Sequence, residues 1–205
     1  MKIVIDGSIG AGKSTQIDIL SKVTGKNVIK EPIHEWPLDL FYQDPSRWGL
    51  TMQVAVLNSY VKMKHAEGIL ERCPESSRAV FWTNLVNTKV VTDREDQIYQ
   101  ALFETHAWTP DVTIFIEKTP EQCFKHIQKR KQEGDDGVTL EYLKDLHTLY
   151  QNYCKQNKNI YIINGNQSVK NVTADILKTI KPYLKQEEIC PPDVPISFSQ
   201  ESNVK

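Results

Sequence analysis

The chain lacks the features that would settle its class at a glance. No apolar run approaches the roughly 18 residues from which a membrane-spanning helix is read, and the first residues look like a strand rather than a basic, apolar leader. There is no Cys-x-x-Cys pair. Cys73, Cys123, Cys154 and Cys190 lie far apart, which gives no sign of a zinc site and suits reduced thiols in a cytoplasmic compartment. Charge of one sign is also missing. The 25 basic and 26 acidic residues leave a formal net charge of −1, which argues against a broad basic surface for nucleic acid. No internal repeat is visible. With 40% hydrophobic and 25% charged residues over 205 positions, the composition suits one ordinary globular domain with a full core.

What is present is concentrated at the start. Ile3, Val4 and Ile5 form a β-branched run that reads as a buried strand. Gly7-Ser8-Ile9-Gly10-Ala11-Gly12-Lys13-Ser14 then matches G-x-x-x-x-G-K-[ST] at every fixed position, with Thr15 following. Glycines let the backbone curl so that successive N–H groups converge on phosphate oxygens, and the next helix turns its positive end toward the same anion. Lys13 can reach terminal phosphates and the Ser14 hydroxyl can hold Mg²⁺. A glycine-rich turn that holds nothing is the plain alternative. The strand before the motif and the helix pattern after it favour a nucleoside triphosphate site.

Further along, Ser14 to about Val23 reads as a helix, Asn27–Lys30 as a second strand, and Pro32, Trp36 and Pro37 as marks of an irregular loop. A helix is expected from about Ser46 to Lys64, a third strand over 68–72, and helices near 76–87 and 92–107. A fourth strand falls at 111–116, and Thr119-Pro120-Glu121 opens another helix. Helices at 140–156 and 168–184 flank a fifth strand at 159–163. Pro191, Pro192 and Pro195 mark an irregular tail from 186. Five strands alternating with helices predict an α/β fold with a parallel sheet covered on both faces. Glu31 and Glu71-Arg72 each fall at a strand end, on the edge that faces the ligand crevice in such sheets.

Gly7–Thr15, Glu31-Pro-Ile-His-Glu-Trp36, Tyr42-x-x-Pro45-x-Arg47-Trp48 with Gln53, Glu71-Arg72 and Tyr142-Leu-x-x-Leu-His147 follow in that order. Together they resemble the deoxyribonucleoside kinases of the deoxycytidine, deoxyguanosine and mitochondrial thymidine kinase type, from about residue 2 to 184. The resemblance implies a P-loop kinase domain over 1–185 with a lid, a tail over 186–205, and transfer of the γ-phosphate of ATP, with Mg²⁺, to a nucleoside 5′-hydroxyl. It makes Glu31 the base, Arg72 and Arg130 cations near the transferring phosphoryl, and Glu71 a carboxylate on the magnesium side. Tyr42 matches a contact to the 3′-hydroxyl. Gln53 matches the amide that reads the base edge, with Trp36, Met52 and Phe81 around it.

Tyr60 and Ser77 stand where members preferring cytosine or purines carry charged side chains. The resemblance therefore points to thymidine and other pyrimidines, with Tyr60 narrowing the cavity and Ser77 leaving room for a methyl group. The sequence departs from the family at Cys73, a serine in relatives, and at His126, where the lid carries an additional arginine. Asp135 stands near a lid glutamate that helps bind the 3′-hydroxyl. The stretch from Ser59 to Glu71 is shorter than in the family, which removes part of the helix that relatives use to form a homodimer. Two other readings stay open: a thymidylate-kinase-like enzyme and a non-catalytic nucleotide switch. The first needs additional arginines where Glu31 would repel an acceptor phosphate. The second has no use for Glu31, Tyr42, Gln53 and Arg72 together.

Overall fold

A computed structural model of the chain describes residues 1–132 and 134–184; the expected tail, 186–205, lies outside the described residues. Among the described residues, β1 (Lys2–Asp6), β2 (Val28–Ile29), β3 (Gly68–Glu71), β4 (Val112–Glu117) and β5 (Ile160–Asn164) form one sheet in the order β2-β3-β1-β4-β5. All pairings are parallel, with Ile5 beside Glu71 on one flank and Ile114 on the other. Parallel strands need crossover helices. These are α1 (Lys13–Thr24), α2 (Leu38–Gln43), α3 (Pro45–Lys62), α4 (Pro74–Ser76), α5 (Thr83–Asn87), α6 (Asp93–His106), α7 (Pro120–Arg130) and α8 (Leu140–Gln156), while α9 (Val169–Ile180) follows β5.

The strand β1 is central because both of its faces are apolar. Ile3 and Ile5 pack toward Ile17, Leu20, Leu143 and Ile176 on one face, while Val4 packs with Leu57, Tyr60, Leu70 and Tyr99 on the other. Phe115 joins Val80, Leu146 and Tyr150 in a smaller cluster beside it. Burial on both faces explains the apolar run Ile3–Ile5 of β1 and the mostly apolar β4, in which only Thr113 interrupts Val112–Ile116.

The segment after β2 departs from the expected irregular loop. It holds a 3₁₀ turn at Ile33–Glu35 and the six-residue helix α2. A helix this short shows too little periodicity to be read against two prolines, and tertiary contact stabilises it instead. The helix expected at 76–87 starts at Pro74 and passes through a π-helical turn, Ser77–Trp82, between α4 and α5. Such turns recur at functional sites. The last helix ends at Ile180 rather than continuing to Leu184, and a 3₁₀ turn at Lys181–Tyr183 follows. Pro182, which has no N–H to continue the ladder, lies in that turn.

Trp82, at the end of the π turn, is 1% exposed. It stacks on Tyr99 with centroids 3.9 Å apart and donates from Nε1 to Asp96 Oδ1 at 2.6 Å. Trp82→Ala is expected to lower the unfolding free energy by about 3–5 kcal/mol, measured by denaturant titration. A loss under about 1 kcal/mol would show that this stack does not anchor the turn.

Candidate active site

The carboxyl ends of β1, β2 and β3 meet at one cavity of about 640 Å³. At its floor Gly7, Gly10 and Gly12 take φ values of 149°, 80° and 98°, a region that side chains disfavour. The loop also lies flat on α7, since a Cβ on Gly10 would come within 2.5 Å of the Cys123 carbonyl oxygen. Gly12 caps α1 with no side-chain hydrogen bond, so the first-turn N–H groups remain available for an anion. Ile9, Gly10, Gly12, Lys13, Ser14 and Thr15 line the cavity. Gly7, Ser8 and Ala11 lie behind them and shape the loop through their backbone.

Lys13 is 5% exposed. Its Nζ donates to the Ser8 carbonyl at 3.1 Å and stands 3.9 Å from Glu71 Oε1. Burial brings its pKa down to about 8, with the nearby Arg72 adding to the shift. The Ser14 hydroxyl donates to Glu71 Oε1 at 3.1 Å. A hydroxyl beside a carboxylate at a phosphate loop is the oxygen-rich pair that a hard divalent cation takes.

Arg72 is the most heavily bonded side chain of the site. It follows β3 in a left-handed backbone conformation, φ 59°, which costs a non-glycine residue about 1–3 kcal/mol. That turn directs its guanidinium back under the phosphate loop. Nη1 pairs with Glu31 Oε2. Nη2 donates to the Gly7 carbonyl at 3.0 Å, and Nε to the Tyr150 hydroxyl at 3.1 Å. Tyr150 in turn donates to Asp6 Oδ1 at 3.0 Å, an oxygen that also accepts from Gly7 N–H at 2.7 Å. The guanidinium also lies 4.9 Å from the Phe81 ring centroid.

Glu31 emerges from this network as the perturbed carboxylate. Its side chain is 7% exposed, and burial pushes its pKa above the usual glutamate value against the pull of Arg72. Desolvation thus wins over ion pairing here, as it does for catalytic carboxylates. Asp6 and Tyr150 were not singled out in the sequence. Asp6 could have been found as a charged residue ending a buried strand. Tyr150 sits on the apolar face of α8 and carries no such signal.

Trp36, Tyr42, Met52, Gln53, Ser77, Phe81, Arg130 and Asp135 all line the same cavity. Gln53 Oε1 and Trp36 Nε1 are buried with no hydrogen-bond partner among the described residues. Tyr60 is the correction. It is fully buried and absent from the cavity wall, so it does not narrow a base pocket. It lies about two turns beyond Gln53 along α3, where its hydroxyl donates to Glu31 Oε1 at 2.8 Å.

The lid segment is folded down onto α2. Arg130 donates from Nε and Nη2 to the two oxygens of Asp135, at 2.9 and 2.8 Å. A Cβ on Gly137 would overlap the Tyr42 ring, and one on Gly134 would sit 3.2 Å from Leu38 Cδ1. Burial, with Asp135 adding to it, raises the Tyr42 phenol to about 12. His126 contributes Nδ1 to the Gly10 carbonyl at 3.0 Å, and Cys73 is buried with its Sγ 3.6 Å from the Ser76 hydroxyl.

The model of the deoxynucleoside kinase family matches residues 3–185. The chain belongs to the deoxynucleoside kinase family. It is 31% identical over 185 residues to a putative kinase protein of Invertebrate iridescent virus 3, covering 87% of this chain and 95% of that one. Against the probable deoxycytidine kinase of Fowlpox virus it is 33% identical over 174 residues, 76% of this chain and 72% of the other. It is 29% identical to human mitochondrial thymidine kinase 2 over 74% of its own length, spanning 63% of that relative. A solved structure of deoxyadenosine kinase from M. mycoides with bound dCTP shares the fold, with TM-score 0.80, 24% identity, and coverage of 89% and 100%. The expected fold class and family are therefore established, and the kinase is an ATP-dependent phosphotransferase of deoxynucleosides. No helix among the described residues is long and apolar enough to cross a membrane.

For this kinase the lowered Lys13 pKa has a kinetic consequence. If the protonated amine is what holds the terminal phosphates, kcat/KM for ATP should fall as pH rises through about 8, because that ratio reports ionisations of the free enzyme. A ratio that stays level well above that pH would show that the charge on Lys13 is not limiting.

Proposed function

We propose that the kinase transfers the γ-phosphate of ATP to the 5′-hydroxyl of a pyrimidine deoxynucleoside, thymidine at least as well as deoxycytidine, with Glu31 as general base. The observation that carries this reading is Glu31 itself. It is a desolvated carboxylate paired with Arg72, sharing one cavity with a phosphate loop and an unpaired Gln53 amide oxygen. In this reading the 5′-O–H bond breaks and its proton passes to the Glu31 carboxylate. A 5′-O–Pγ bond forms as the bond from Pγ to the β-phosphate oxygen breaks, and ADP leaves. Lys13, Arg72 and Arg130 spread the charge that develops on the phosphoryl oxygens. Ser14 and Glu71 fit Mg²⁺, which would supply further neutralisation of the phosphates. A 5′-phosphate already on the acceptor would meet Glu31, which disfavours a nucleoside monophosphate.

The base preference rests on Gln53 and its surroundings. An amide pairs with the N3–H and O4 edge of thymine, with the N3 and N4 edge of cytosine, or with an adenine edge, so the amide alone does not choose the base. Gln53 shares its wall with Trp36, Met52, Val56, Ser77 and Phe81, none of them charged. The bulk of Trp36, Met52 and Phe81 favours one ring over two. Ser77 leaves room for the thymine methyl, a feature worth only about 1–3 kcal/mol. Tyr42 and Asp135 would receive the 3′-hydroxyl.

With labelled ATP and each acceptor in turn, thymidine should equal or exceed deoxycytidine, deoxyguanosine should be lowest, and thymidine monophosphate should stay unlabelled. Preference for deoxyguanosine would sink the base assignment, and labelling of the monophosphate would sink the reading of the acceptor. Glu31→Gln should keep ATP binding and lower kcat by about 10²-fold or more. It should also abolish an acidic limb of the pH profile lying above the usual glutamate value of 4.5. A kcat within about threefold of the parent would remove Glu31 from the base role.

A further inference from the structure

Glu31 follows β2 directly, in Lys30-Glu31-Pro32, outside any helix or strand. A carboxylate on irregular backbone can turn about its last torsion unless both oxygens are held. Arg72 Nη1 holds Oε2 and the Tyr60 hydroxyl holds Oε1, at 2.8 Å. The Tyr60 ring is itself fixed. It is fully buried, meets Trp108 edge to face at a centroid distance of 6.5 Å, and its carbonyl accepts from Trp108 Nε1 at 2.8 Å. Trp108 stands just before β4, so the last turn of α3 is tied to the sheet on the side away from the cavity.

We infer that Tyr60 is a positioning residue for the general base: its hydroxyl fixes the rotation of the Glu31 carboxylate so that a lone pair faces the nucleoside 5′-hydroxyl. This rests on the reading of Glu31 as the base. Each carboxylate oxygen has two acceptor sites, so the bonds to Tyr60 and Arg72 leave capacity for the substrate proton. Without the phenol, Arg72 alone holds Glu31, through one oxygen, and the carboxylate can swing toward the guanidinium. Tyr60 is off the cavity wall, so in this assignment the phenol acts through Glu31 and not by contact with the substrate. The groups that face Glu31 electrostatically are Arg72, Glu71, Lys13 and Tyr60.

The test is a double-mutant cycle on the full-length kinase with Tyr60→Phe, Glu31→Gln and the pair, following kcat and nucleoside KM separately. Tyr60→Phe should lower kcat by about tenfold while KM changes less than about twofold, since a lost orienting bond acts on the reacting geometry. In the Glu31→Gln background the same change should have almost no further effect on kcat, because residues acting as a unit are not additive. A merely structural hydroxyl would lower thermal stability and leave kcat and the cycle additive. A base-lining residue would change the thymidine to deoxyguanosine ratio instead. Either outcome overturns the assignment. If Glu31→Gln leaves turnover intact, the base reading fails first; if only Tyr60→Phe is silent, the positioning role alone falls.

Discussion

A guanidinium buried at the end of β3 ties the structure together. Arg72 spends its donors on the loop after β2 through Glu31, on the phosphate loop through the Gly7 carbonyl, and on α8 through Tyr150. A buried cation is costly unless paired and hydrogen-bonded, and removing one partner of such a pair typically costs about 3–5 kcal/mol. The same bonds therefore hold three chain segments in register and set the electrostatics of the site. The left-handed backbone at Arg72, φ 59°, carries a strain of about 1–3 kcal/mol, no larger than the cost of leaving the guanidinium unpaired.

Around this centre the protein leaves polar atoms unpaired where a substrate would meet them. Trp36 Nε1 and Gln53 Oε1, on the cavity wall, are buried without partners among the described residues, as are Ser8 Oγ and Asp6 Oδ2 behind it. Each such atom costs about 1–3 kcal/mol. The helix α3 holds Gln53 in place, and the glycine loop pressed on α7 holds Ser8. A ligand that pairs with such atoms recovers hydrogen bonds that folding left open, which is how a preformed site gains selectivity.

Much of this was legible in the sequence. The phosphate loop, the order of strands and helices, and Glu31 and Arg72 at strand ends follow from local pattern, because glycine spacing, apolar periodicity and strand ends are properties of neighbouring residues. The helix over 140–156 appears with those bounds. The helix α2 was hidden because six residues between prolines hold too little period, and the π turn because its registry change depends on packing of Trp82 against Tyr99. Tyr60 shows the limit best. The family resemblance put it beside the base, yet in the fold its hydroxyl meets Glu31 and its ring stays off the cavity wall.

The sequence by itself determined the chemistry available: a phosphate cradle, a lysine, two carboxylates and an arginine at strand ends, and an amide for a base edge. Only the tertiary structure decided how these groups bear on one another. Burial raised Glu31 while the adjacent cation pulled it down, and it brought Lys13 to about 8. The fold also put Tyr60 on the carboxylate and Asp6 and Tyr150 behind Arg72. Desolvation and hydrogen-bond geometry depend on segments far apart in the chain, Arg72 and Tyr150 being 78 residues apart, and no local pattern encodes them.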